Sequence, residues 1–87
     1  MDLSKNSLLD LYRTMSTIRK FENRATEELV ENKLVGLLHS SAGQEAVAAG
    51  VCANLSNDDY LTSTHRGHGH SIAKGVAIRS MMAEIFG

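Results

Sequence analysis

One apolar stripe constrains this chain more than any other feature. Leu8, Leu11, Tyr12, Met15, Ile18, Ala25 and Leu29 recur at steps of three and four residues. That spacing places them on one face of a helix over about 7–32. Asp10, Arg13, Lys20, Glu27 and Glu31 fall away from the stripe. Ser7 followed by Asp10 resembles a capping box, with Ser4 as an alternative start. Isolated helices gain little from propensity, so a helix this long needs a partner surface over its stripe.

The rest of the 87-residue chain holds no repeat, low-complexity tract or linker. Gly36 breaks the helical pattern, and 34–38 reads as a short strand or a buried loop. Ser41 with Gln44 forms a second capping-box signal, opening a helix over 44–55 that is rich in alanine. Gly50 inside it costs about 1 kcal/mol relative to alanine, which predicts close approach of another backbone there. Residues 56–59 are a turn by composition. Tyr60 to Thr64 are β-branched and aromatic and predict a short strand. A glycine-containing loop follows over 65–70, then a helix from about Ser71 that ends at Gly75, a natural C′ residue. A last helix runs over 77–86, with Ile78, Met81, Met82 and Ile85 turned inward. One strand cannot make a sheet. Its natural home is a parallel sheet completed by chain outside these residues. The apolar end, 81–87, likewise reads as a stop in mid-structure. The expectation is a single incomplete domain over 1–87 of the α/β class, mostly helical with about one parallel-sheet strand.

Charge and composition exclude several classes. Nine Lys and Arg against ten Asp and Glu give a net charge of −1. Nucleic-acid and membrane-surface roles need a positive field that this balance does not supply. The lone Cys52 cannot form an internal disulfide and fits a reducing compartment. No apolar run approaches the roughly 20 residues of a spanning helix, and the first residues lack the pattern of a signal peptide. A cytoplasmic location is expected. A chain this short buries only about 60% of its unfolded surface and is marginal alone.

The densest polar cluster is His65-Arg66-Gly67-His68-Gly69-His70, between the expected strand and a helix. Ligands of open α/β sheets sit at the carboxyl ends of strands. Glycines admit close backbone approach, helix N-terminal amides attract anions, and arginine binds phosphate through a planar fork. Together these point to a phosphate-bearing ligand. The cluster is neither a dinucleotide fingerprint, since Ile72 stands where a third small residue belongs, nor a P-loop, since no Gly-Lys-Ser/Thr occurs. A polar surface turn is one alternative. Another is a metal site of His65, His68 and His70, although zinc would want a fourth ligand or an open position. His39, ahead of a helix, is a second candidate, able to act as acid, base or hydrogen-bond donor near neutral pH. Glu45 in a first helical turn is favourable by dipole alone. Arg19 and Arg24 solvate the long helix or pair with Glu22, Glu27 or Glu28. Cys52 reads as a small core residue.

The segments taken in order resemble a known family. Leu11-Tyr12-Arg13-Thr14-Met15 followed by Ile18-Arg19-Lys20-Phe21-Glu22 is similar to the opening helix of the alpha subunits of thiamin-diphosphate-dependent 2-oxo acid dehydrogenases. Gly43-Gln44-Glu45-Ala46, Asp58-Asp59-Tyr60, Arg66-Gly67-His68-Gly69-His70 and Met82-Ala83-Glu84-Ile85-Phe86-Gly87 follow in that family's order and spacing. Thr64-His65-Arg66-Gly67-His68-Gly69-His70 looks most like the acetoin dehydrogenase branch. Pyruvate dehydrogenase alpha subunits usually carry tyrosine where this chain has His65.

The resemblance implies a heterotetramer of two alpha and two beta subunits with the cofactor between them. Alpha would hold the diphosphate and Mg2+. Beta would hold the aminopyrimidine and supply the activating glutamate, so Glu45 is not that group. Arg66, His65 and Gly67 fall on cofactor-binding positions. His39 falls on the histidine facing the thiazolium, and His68 supports the active-site loop, making these two the catalytic candidates. The implied reaction cleaves acetoin, or decarboxylates a 2-oxo acid, and passes the acyl unit to a lipoyl-bearing dihydrolipoyl acyltransferase. No metal ligand is expected among these residues, because the Gly-Asp-Gly and later asparagine that bind Mg2+ do not occur in them. The chain then reads as an N-terminal fragment of such a subunit, inactive alone. Two alternatives remain: a pyruvate dehydrogenase alpha-subunit fragment, and a small helical interaction module with no catalytic role.

Overall fold

The computed structural model describes residues 4–31 and 38–87, and every regular element among them is a helix. The first, α1 (Lys5–Glu31), is 27 residues long. At 1.5 Å per residue it spans about 40 Å and sets the 44 Å long axis of the molecule. Its start belongs to Ser4 rather than to the Ser7–Asp10 pair. The Ser7 N–H donates to the Ser4 hydroxyl at 3.2 Å, while Asp10 is drawn into an ion pair with Arg13 at 3.1 Å. The Gly36 break and most of the 34–38 segment lie outside the described residues. Leu38 is described, and it packs on the core.

The next helix, α2 (Glu45–Cys52), lies along the N-terminal half of α1. The capping box expected at Ser41 and Gln44 does not form. Gln44 is the N-cap without a side-chain bond, and the Ser41 hydroxyl is buried with no partner. The cause is a competing bond, described below, that draws Ser41 inward. Residues 41–44 instead close a turn, Gln44 N–H to Ser41 carbonyl at 2.9 Å, with Gly43 at φ +92°. The close approach expected at Gly50 is absent: a Cβ built there meets nothing within 4 Å.

Residues 60–64 form no strand, and no strand occurs among the described residues. A strand exists only through its ladder, and no described segment offers one a partner. Tyr60 is 100% exposed. Its β-branched neighbours carry propensity without a surface to pack on, which is the context that propensity needs. The expected mostly helical arrangement is thus found, and the one expected parallel-sheet strand is not, among the described residues. The turn before it holds as expected: the Ser56 N–H donates to the Asp59 carboxylate at 2.7 Å. Lys74 caps the same turn, donating to the Ser56 and Asp59 carbonyls at 2.7 and 2.9 Å.

The third helix, α3 (His68–Ala73), starts three residues earlier than expected, so half of the glycine–histidine loop is helical. It ends in a Schellman motif. The Gly75 N–H bonds the Ile72 carbonyl and the Val76 N–H bonds the Ser71 carbonyl, both at 3.0 Å, with Gly75 at φ +101°. The last helix, α4 (Ile78–Phe86), places Met81 in the core with Phe21 and Ala25, flanked by Leu38, Ile72, Met82 and Ile85. Ile78, expected inward, is exposed. Only the middle of the α1 stripe is covered: Ile18, Phe21 and Ala25 are buried, whereas Leu8 and Tyr12 are exposed. No helix among the described residues is long and apolar enough to cross a membrane.

Candidate functional site

Two loops meet over the middle of α1, one carrying His39 to Gly43 and the other Ser63 to Gly67. A buried carboxylate joins them. Glu22, fully buried on α1, accepts the Ser41 N–H through one oxygen at 2.6 Å. Its other oxygen lies 2.6 Å from His68 Nδ1. Burial pushes the Glu22 carboxyl up, but the bonds from His68, Ser41 and Ser40 outweigh it and leave it below the usual carboxylate value. The same bond raises His68 above the ordinary imidazole value, against the effect of its own burial. Both shifts favour the charged forms, imidazolium and carboxylate, and the Phe21 ring packs edge-on against His68 at 5.4 Å.

A second carboxylate clamp stands beside the first. Arg19 grips Glu45 with both arms, Nε to Oε2 at 2.6 Å and Nη2 to Oε1 at 2.9 Å. Glu45 also accepts the Gly43 N–H at 2.7 Å. The bidentate arginine bond, helped by the Gly43 N–H, holds the Glu45 carboxyl at about 2 despite its burial. Glu45 is therefore a tie between α1 and the turn ahead of α2, beyond its dipole placement. Arg24 pairs with Glu28 at 2.7 Å, within α1 as expected.

The exposed rim of this frame carries the sequence candidates. His39 and His65 meet ring edge to face, with centroids 4.6 Å apart. Arg66 donates through Nη1 to the Ser40 carbonyl, and among the described residues no carboxylate pairs with it. The structure so brings His39 to His65 and Arg66, from which the sequence separates it by 26 residues or more. His68 faces inward to Glu22 and away from this rim. Gly67 is the residue before α3, where a Cβ would lie 2.8 Å from the Ser63 hydroxyl. Gly69 is the true close approach: a Cβ there would sit 3.2 Å from the Ser41 hydroxyl and 3.3 Å from both Ala48 Cβ and Ile18 Cγ2. His65, His68 and His70 do not converge, and no group of three metal-ligating side chains occurs among the described residues.

Sequence reading gave Glu22 and Ser41 no place in the site, taking Glu22 as a candidate partner of Arg19 or Arg24 and Ser41 as a helix cap. The signal for Glu22 was present, since it occupies the stripe position between Ile18 and Ala25 where an apolar residue belongs. Chemically, the rim offers two imidazoles and a guanidinium with most of its donors uncommitted, a set matched to a diphosphate or other polyvalent anion.

Comparison with known proteins settles the family. The dehydrogenase E1 component family matches residues 13–87. The chain belongs to that family. It is 51% identical over all 87 residues to the alpha subunit of acetoin:2,6-dichlorophenolindophenol oxidoreductase from Bacillus subtilis, of which it covers 26%. It is 46% identical to the subunit of the same name from Cupriavidus necator, again covering 26%. It is 41% identical to the pyruvate dehydrogenase E1 component alpha subunit from Porphyra purpurea, covering 25%. This E1-component chain thus spans about a quarter of the length of these relatives. No solved structure matches it.

The two clamps of the E1-component chain predict its response to pH. Glu22 and Glu45 lie below the ordinary carboxylate value of 4.5, so their contributions are complete above it and fade as pH falls through the lowered values, about 2 for Glu45. His68 lies above the ordinary 6.5, so its contribution is complete below 6.5 and is lost as pH rises through its raised value. Thermal melts should therefore show the Glu22–His68 contribution at its fullest between about pH 4.5 and 6.5. His68→Gln should remove the alkaline decline; an unchanged decline would contradict the assignment.

Proposed function

We propose that this chain forms the N-terminal part of the alpha subunit of a thiamin-diphosphate-dependent dehydrogenase that cleaves acetoin. The observation that carries this reading is the 51% identity along the whole chain to an acetoin-oxidising alpha subunit, and the rim geometry supports it. The donor set fits a diphosphate: Arg66 has guanidinium N–H groups to spare, and His39 and His65 stand beside it. Arg66 and His65 would hold the diphosphate, with Gly67 next to them in the chain. His39, on the same rim, would donate to the substrate oxygen as charge develops there and transfer a proton. His68 would act from beneath, bracing the loop through Glu22. The bound cofactor supplies the carbanion chemistry of carbon–carbon cleavage, and the protein supplies position and field. Residues outside these 87 would bind Mg2+, a beta subunit would complete the site, and a lipoyl acyltransferase would take the acetyl group. We place the enzyme in the cytoplasm and the chain within a single larger domain.

The test is an assembled enzyme, the full alpha chain with its beta subunit, assayed for acetoin-dependent reduction of 2,6-dichlorophenolindophenol. Turnover of acetoin that requires thiamin diphosphate and Mg2+ is the expected result. Turnover of pyruvate alone would favour the second reading, a pyruvate dehydrogenase alpha subunit, which the 41% identity to such a subunit keeps in view. Arg66→Ala should weaken cofactor binding between about ten- and a hundredfold, the worth of a charged phosphate contact. The 87-residue chain alone should bind thiamin diphosphate weakly or not at all in calorimetry, and micromolar binding by it would count against a shared site.

A further inference from the structure

Glu22 is a costly residue where it stands. It is fully buried on the apolar stripe of α1, and a well-packed apolar side chain in place of a buried ion pair is often neutral or stabilising. Its bonds run to two segments that are remote in sequence, the loop at Ser41, 19 residues away, and the start of α3 at His68, 46 residues away. The other ties between these segments lie nearer solvent: the exposed His39 and His65 rings, and the half-buried Arg66 on the Ser40 carbonyl. Gly69 supplies an independent sign of the same arrangement, since it lets α3 press directly on Ser41 and Ile18.

We propose that Glu22 is a positioning residue. Through the Ser41 N–H and the His68 ring it fixes the His39 loop against the His65–Arg66 segment, and so sets the geometry in which these three side chains receive a diphosphate. This inference rests on the reading of that rim as the diphosphate end of the site.

The experiment titrates thiamin diphosphate, with Mg2+, into the assembled full-length alpha–beta enzyme by calorimetry and follows Tm alongside. Glu22→Gln keeps the shape, and its amide oxygen can still accept the Ser41 N–H, but it cannot hold the imidazolium. We expect Kd to rise about tenfold in enzyme that remains assembled, as misplaced binding groups predict. A lower Tm with an unchanged Kd would mean that Glu22 only packs, and would overturn the proposal. His68→Asn should weaken binding similarly, and the double variant should lose no more than either single one, because both changes break one unit. Additive losses, or none in His68→Asn, would also overturn it. Should Glu22→Gln fail to assemble, His68→Asn decides the matter alone. Arg66→Ala separates the two levels of inference. If it too leaves Kd unchanged, the diphosphate reading falls and this proposal with it. If it weakens binding while Glu22→Gln does not, only the role of Glu22 falls.

Discussion

Glu22→Ala is expected to destabilise the fold by about 3–5 kcal/mol, the usual cost of removing one partner from a buried ion pair. The loss has three parts. The Ser41 N–H, now bonded at 2.6 Å, would be left buried without an acceptor. His68 would lose the carboxylate that favours its charged form in a half-buried position. The missing methylene and carboxyl groups would leave a hole beside Ile18 and Ala25, which are both fully buried. Net stabilities of natural domains are of order 5–15 kcal/mol, so the variant should be close to unfolding. Urea unfolding of wild type and variant measures the difference. A change under about 1 kcal/mol would show that water or repacking replaces the carboxylate.

Gly69→Val should produce the second large effect, close to the upper end of the roughly 1–3 kcal/mol cost of overpacking. Its Cβ would meet the Ser41 hydroxyl at 3.2 Å and Ala48 and Ile18 at 3.3 Å. Ala48 cannot yield without moving α2, and Ile18 is a stiff β-branched side chain. The two further carbons of valine have nowhere to go. Gly50→Ala is the control. It sits in α2 with open space around its Cβ, and should stabilise by up to about 1 kcal/mol through helix propensity. Melting curves should move in opposite directions for the two variants. A shared direction would mean that the packing around Gly69 is looser than its distances imply.

The contrast between these glycines shows what was legible in the sequence. Gly50 and Gly69 look alike as letters, and the expectation of a close contact fell on the wrong one. Helix packing decides the matter, and packing is not a local property. The α1 stripe was readable because its period is local, and so were the 56–59 turn and the Gly75 stop. The strand at 60–64 failed because its residues have β propensity but no ladder. The Ser41–Gln44 cap failed because a carboxylate 19 residues away outbid it for Ser41. The rim candidates were legible as residue types, and His39 was flagged apart from His65 and Arg66. Their meeting was implied by the family resemblance alone; residue types and spacing could not show it, since it depends on how α1 gathers both loops. Arg19 was expected to solvate the long helix or pair along it, and instead reaches 26 residues on to Glu45.

The rim and the frame beneath it share almost no side chains. His39 and His65 stand exposed and touch each other, while Glu22, Ser41, Ala48 and Gly69 interlock in the interior. A change at His65 can alter what the surface recognises while touching only the exposed His39 ring, whereas a change at Gly69 or Glu22 alters the scaffold itself. Recognition and folding are thus open to selection separately. A lineage can trial new side chains at the rim, one at a time, without first acquiring compensating substitutions in the core.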